Sequence, residues 1–353
     1  MAKSALLNGS TGVAILSKQP FLIAEVAQAH EGSLGLAHAF IDAAAQAGAD
    51  AVKFQTHIAV AESTYDEPFR VQFSLQDKTR YDYWRRMEFT SEQWEGLATH
   101  CKESGVSFLS SPFSVEAVHL LAGLGMAIWK VASGELRSRE LLNCILSAGG
   151  HILVSTGMSS WGEIDEIVAF LRSRRAEYTL MQSTSRYPTA FREVGLNVLE
   201  EMRRRYTCPV GLSDHSGTPF PALAAMARGA SVIEAHVIFD RRMFAPDNAA
   251  SITFDELALL VRARNAFVAM DSSPVDKNIM AESLGSMRVA FGKSLAPIRA
   301  FPAGTILDTT MLAVKKPGGG IPPEAAEQIY GRRLARDVTP DRILRWEDLK
   351  EGK

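Results

Sequence analysis

The chain has 353 residues, 46% of them hydrophobic and 22% charged, with a formal net charge of −2. That length accommodates one large domain and one small one, and the composition is that of an ordinary globular protein with a sizeable core, not of a disordered chain. So small a net charge gives no electrostatic reason for nucleic acid or an anionic membrane as partner.

Cys101, Cys144 and Cys208 are too few and too scattered for a disulfide framework or a cysteine zinc site. They read as small buried hydrophobes in a reducing compartment, which makes a cytoplasmic location the expectation. The opening MAKSALLNGSTGVAILSKQP has only short apolar stretches broken by Asn, Gly, Ser and Thr and does not resemble a signal peptide. No run reaches 18 apolar residues, so no membrane span is expected.

In chain order, GVAILS before the Gln19-Pro20 break suggests a short strand. Eight apolar runs then follow, each ending in polar residues: FLIAE, AVKFQ, VSFLSS, AIWKVAS, HILVST, YTLMQSTS, PVGLSDH and SVIEAH. Seven of these runs are separated by helix-like segments, such as GLAHAFIDAAAQAG over 35–48 and WGEIDEIVAFLRSRR, and TFDELALLVRARNAFVAM follows the eighth with Thr253 as N-cap. The alternation predicts an α/β fold, a (β/α)8 TIM barrel over residues 1–270. Residues 58–89, rich in aromatics and charges, form a long segment after the second strand, either a partial cover over the catalytic face or an insertion serving a subunit contact. Residues 271–287 read as a linker, and 288–353, with short strands broken by Pro and Gly, as a small β-rich domain.

Parallel barrel strands aim their C-terminal ends at one face, so their polar ends converge on one cleft. Polar ends also arise simply where strands emerge into loops, but eight in a row, with two lysines inside apolar runs, favour a site, because a buried unpaired charge is costly. Lys53 and Lys130, among Ser110, Ser111, Ser133, Ser155 and Ser183, suit a phosphate or carboxylate; a Schiff-base role for one lysine is the competing reading. His215 and His236 are candidate metal ligands, with Asp247 as third ligand or holder of a water on the metal; two histidines hydrogen-bonded in the barrel mouth would give the same pattern. Glu25 is a candidate general base or hydroxyl grip, or an ion-pair partner of a lysine, and Tyr187 a packing aromatic or a substrate contact.

IAEVAQAHEGSLGLAHAFIDAAAQAGADAVKFQT, followed by SSPFS, WKVASGEL, SRYPT, VGLSDHS, SVIEAH and KKPGGGI, resembles the sialic acid synthase family over nearly the whole chain. The resemblance implies that the barrel is followed by an antifreeze-like (SAF) domain and that the chain forms a domain-swapped homodimer using Mn2+ or Mg2+. It implies condensation of phosphoenolpyruvate with an open-chain N-acetylated amino sugar, giving a nonulosonic acid and phosphate. By that resemblance His215 and His236 match metal ligands. Lys53, Ser111, Lys130, Ser133, Ser155 and Ser213 match the phosphoenolpyruvate site, while Glu25, Gln55, Tyr187 and Asp247 match residues around the sugar and the metal.

The chain departs from the family pattern at Gln182, Ser183 and Thr184, at Ala235 and Asn248, and at two substrate-binding positions, where Ser185 replaces Asn and Lys316 replaces Arg. An Arg to Lys change removes planar bidentate recognition. Because the residues matching the phosphoenolpyruvate and metal sites are kept, the reaction type is expected to be kept while the acceptor is open, with the sugars of legionaminic and pseudaminic acid synthases as neighbours; a non-catalytic carbohydrate-binding paralogue is the alternative.

Overall fold

Side-chain alternation along the strands builds both the wall of this molecule and its cavity. The structure is a computed structural model that describes residues 19–71 and 74–350, so the short strand expected before Gln19 lies outside the described residues. Eight parallel strands follow in chain order: β1 (Phe21–Ala27), β2 (Ala51–Thr56), β3 (Ser107–Pro112), β4 (Ile128–Val131), β5 (His151–Ser155), β6 (Glu177–Ser183), β7 (Val210–Asp214) and β8 (Val232–Ile238). Strand β8 pairs back onto β1, from Phe21 opposite Val232 to Glu25 opposite His236, and the barrel closes.

One set of side chains faces outward. Leu22, Val52, Phe54, Trp129, Ile152, Leu180, Leu212 and Ile233 belong to the large cluster packed beneath the helices. The other set faces inward, where Phe21, Ile23, Ala51, Leu109, Ile128, Leu153, Met181 and Val232 form a separate apolar plug. Because the strand period is two, the next inward residues are Glu25, Lys53, Ser111, Lys130, Ser155, Ser183 and Glu234, a polar layer resting on that plug. In β7 the plug position is Gly211, where an added Cβ would fall 2.5 Å from both Met181 Sδ and the Val232 carbonyl oxygen.

Several helices start on side-chain caps. Thr79, Thr90, Ser160 and Thr253 each accept from the backbone three residues on, and Asp82, Gln93, Glu163 and Glu256 return the bond. The segment after β2 is ordered by its own small core: helices Ala59–Glu62 and Arg80–Met87 bring Ala59, Tyr83, Trp84 and Met87 together with Phe69 and Tyr81. Arg86 ties it down through Asp77 at 2.8 Å and Glu31 at 3.0 Å.

The chain divides after Ser272 into two compact units. The second has a core of its own, including Leu295, Phe301, Leu307, Ile321, Ile329 and Leu344, beneath an antiparallel pair, β9 (Ser294–Pro297) with β10 (Leu312–Lys315). The stretch expected as a linker is helical in part: Asp276 caps helix Lys277–Ser283, and Gly285–Phe291 follows. Cys101, Cys144 and Cys208 are all free, and among the described residues no helix is long and apolar enough to cross a membrane.

Candidate active site

The polar layer opens into a cavity of about 310 Å³ lined by the C-terminal strand ends and the loops after them. Glu25, Lys53, Gln55, Ser111, Lys130, Ser133, Ser155, Ser185, Tyr187, Ser213, His215, His236 and Asp247 all border it. Lys316 belongs to the second unit, where its Nζ lies 5.7 Å from the centroid of the Phe291 ring.

At the floor the two buried lysines are matched by two buried carboxylates. Lys53 Nζ lies 2.8 Å from Glu25 and 3.8 Å from Glu234 and donates to Ser111 Oγ at 3.1 Å; Lys130 Nζ lies 2.8 Å from Glu234. Ser213 Oγ donates to the same Glu234 oxygen at 2.8 Å. Glu25 is thus an ion-pair partner of Lys53 and also borders the cavity.

Electrostatics splits the two carboxylates. Burial pushes Glu25 up, against the attraction of Lys53. Burial acts on Glu234 in the same direction, but Lys130 and Lys53 outweigh it and hold that carboxyl well below the usual range. Burial lowers Lys130 despite Glu234, while at Lys53 the attraction of Glu234 and Glu25 exceeds the effect of burial and raises it.

Strand β6 and two loops gather hydroxyls around Gly157. Gly157 donates its N–H to Ser133 Oγ at 3.0 Å, and a Cβ built on Gly157 would lie 2.5 Å from Ser183 Oγ and 2.6 Å from Ser185 Oγ. Three hydroxyls therefore converge on bare backbone, a concavity suited to anionic oxygens.

The imidazoles stand on the opposite side. His215 Nδ1 donates to the Thr184 carbonyl at 2.9 Å, leaving Nε2, 3.1 Å from Tyr187 Oη, as the acceptor nitrogen. Its ring centroid is 5.3 Å from that of His236. Burial, helped by each other's proximity at His215 and by Lys53 at His236, lowers both to about 3, so both rings are neutral. Asp247 Oδ2 is 3.9 Å from His236 Nδ1, while its Oδ1 meets Arg70 at 2.5 Å. Among the described residues no group of three His, Cys, Asp or Glu side chains is arranged to hold a metal ion.

Arg70, from the long segment after β2, also lies 4.2 Å from the centroid of the Tyr187 ring, and Arg80, Tyr83 and Trp84 line the cavity beside it. That segment is a partial cover over this face. Sequence reasoning assigned no role to Arg70, Gln28 or Glu234. Only Glu234 carried a signal, since it stands two residues before His236 on one strand and so shares its face.

Three of the substituted positions face away from the cavity. Gln182 donates to the Val194 carbonyl at 3.1 Å, Ala235 is in the outer core, and Asn248 donates to the Arg241 and Met243 carbonyls at 2.7 and 2.5 Å. Ser183 and Ser185, two further departures, do line the cavity.

Residues 40–274 match the NeuB family model. The chain belongs to the NeuB family. Residues 292–350 match the SAF domain, so the NeuB barrel is followed by the small domain the sequence led us to expect. This NeuB chain is 31% identical to N,N'-diacetyllegionaminic acid synthase of Campylobacter jejuni, over 93% of its length and 99% of that protein. It is 30% identical to human N-acetylneuraminate-9-phosphate synthase, over 91% and 90% of the two chains. Among solved structures, N-acetylneuraminic acid synthetase from Leptospira borgpetersenii, in complex with citrate, matches with a TM-score of 0.67 and 27% identity, over 77% of this chain and 92% of that one. The chain is accordingly an enzyme, of the acid synthase kind.

Proposed function

We propose that the enzyme condenses phosphoenolpyruvate with the open-chain form of an N-acetylated amino sugar, giving a nonulosonic acid and phosphate. The observation that carries this reading is the pairing, in one cavity, of a lysine and hydroxyl floor with two neutral imidazoles. Lys53, Lys130 and the hydroxyls of Ser111, Ser133, Ser155 and Ser213 hold the anionic donor, and Glu25, Gln55, Ser185 and Tyr187 face the acceptor.

The imidazoles fit a divalent cation such as Mn2+ or Mg2+: the bond of His215 Nδ1 to Thr184 fixes the tautomer that turns the Nε2 lone pair, here met by Tyr187 Oη, towards the cavity. When bound there, such an ion supplies Lewis acidity to an aldehyde oxygen. Asp247, already held by Arg70, stands beside His236 to orient solvent or a sugar hydroxyl.

Carbon 3 of phosphoenolpyruvate forms the new bond to the aldehyde carbon, whose oxygen gains a proton. Water adds at carbon 2, the bond from carbon 2 to the phosphate oxygen breaks, and phosphate leaves with that oxygen, giving a 2-keto-3-deoxy acid. The donor stays anionic throughout, so the lysines serve best as cations. The ion pair of Lys53 with Glu25 and the 2.8 Å contact of Lys130 with Glu234 hold them so.

The test is phosphate release from phosphoenolpyruvate with a panel of amino sugars, with EDTA and with added Mn2+. Metal-dependent release is expected from at least one sugar, and none from His215→Ala or His236→Ala. Full activity in both variants removes the metal assignment. Trapping of a substrate adduct on Lys53 or Lys130 by borohydride would replace this reading by an imine aldolase.

A further inference from the structure

His57, just past the end of β2, is buried and outside the residues assigned so far. Its ring is stacked between Trp84, 3.8 Å centroid to centroid at 16°, and Phe113, 4.6 Å at 10°. An aromatic sandwich accounts for a flat ring but not for its two nitrogens. Both are engaged: Nδ1 lies 2.6 Å from Glu62 Oε1, and Nε2 lies 2.9 Å from Gln28 Nε2. A carboxylate accepts and an amide nitrogen donates, so these partners assign the proton to Nδ1 and leave Nε2 as an acceptor.

That assignment propagates to the cavity wall. Gln28 Nε2 directs one N–H to His57 and the other to Gln55 Oε1, which itself lies 3.3 Å from His57 Nε2. Gln55 Nε2 then donates to Glu25 Oε1 at 2.9 Å. Gln28, Gln55 and Glu25 all line the cavity. With both N–H groups used, Gln28 has only its carbonyl oxygen to offer a ligand, and Gln55 offers its second N–H. Flipping Gln55 would set its oxygen against the Glu25 carboxylate, and flipping Gln28 would set an oxygen against the His57 lone pair, each leaving a buried group unsatisfied.

We propose that His57, held by Glu62, is a positioning residue that fixes the directions of the Gln28 and Gln55 amides and so determines which acceptor-sugar groups the wall recognises. Gln28 meets a donating hydroxyl and Gln55 an accepting oxygen. The identity of the ligand rests on the synthase reading above; the amide directions do not.

Two measurements separate these. In the phosphate-release assay, His57→Phe keeps the aromatic sandwich and removes both nitrogens, and Glu62→Gln is a milder companion. Each raises the KM for the amino sugar, by about tenfold for His57→Phe, as expected for losing roughly one hydrogen bond. The KM for phosphoenolpyruvate stays unchanged. Equal rises in both constants, or none in either, overturn the proposal. Long-range 1H–15N NMR of the wild-type histidines needs no turnover, and a bare Nε2 on His57 is expected. A proton on Nε2 overturns the proposal whatever the substrate. A bare Nε2 in an enzyme that releases no phosphate with any amino sugar supports the amide directions and removes the synthase reading alone.

Discussion

Glu234 is the residue on which the floor of the cavity turns. It is 3% exposed, meets Lys130 and Ser213 at 2.8 Å each and stands 3.8 Å from Lys53. Removing one member of a buried charge group leaves the others uncompensated in a poorly solvated interior, which costs about 3–5 kcal/mol. Glu234→Ala is therefore expected to lower the unfolding free energy read from urea denaturation by that much, with a lower midpoint, and to abolish turnover. Glu234→Gln retains hydrogen bonding to Ser213 and loses less stability. A wild-type midpoint in Glu234→Ala would show that the lysines do not depend on it. The carboxylate was visible in SVIEAH as a strand end, but its partners lie 104 and 181 residues earlier in the chain, and no spacing rule reaches that far.

Glycines show how elements set function and stability separately. Gly211 in β7 lets the strand approach Met181 and the Val232 backbone, so Gly211→Ala forces the plug apart at a cost of about 1–3 kcal/mol. Gly157, in the loop after β5, faces hydroxyls, so a Cβ there fills the concavity and leaves the strands untouched. Gly157→Ala is accordingly expected to raise the KM for phosphoenolpyruvate at least about tenfold with little change in melting temperature, and Gly211→Ala the reverse. Calorimetry beside steady-state kinetics checks both. The elements themselves were legible because short apolar runs ending in polar residues alternate with helical segments throughout the barrel. The segment after β2 was legible only as an anomaly of length. Its role as a cover depends on Arg70 reaching Tyr187 and Asp247, a contact across 177 residues of chain.

For the whole molecule, buried neutral histidines set the acid limit. His151 is 2% exposed, accepts no bond at Nδ1 among the described residues, and is lowered by burial from 6.5 to about 4. Below pH 6.5 the unfolded chain takes up a proton that the folded chain refuses, so this contribution is fully present above 6.5. It falls as the pH drops towards about 4, where the loss levels off at about 3 kcal/mol. Urea midpoints are expected to fall over that window, and His151→Gln to fall less steeply by a comparable amount. Parallel curves for the two proteins would show that His151 takes no part.

The sequence by itself determined the barrel, the strand ends that face its mouth, the helix caps such as Thr253 and the small second domain. These follow from local periodicity and capping chemistry, which need only a few neighbouring residues. Only the tertiary structure decided that Glu25 is an ion-pair partner, that Glu234 joins both lysines, and that Ser185 faces the cavity while Gln182, Ala235 and Asn248 do not. Strand pairing and loop closure bring together groups whose charges and lone pairs interact through space, and such pairings leave no periodic trace in the chain.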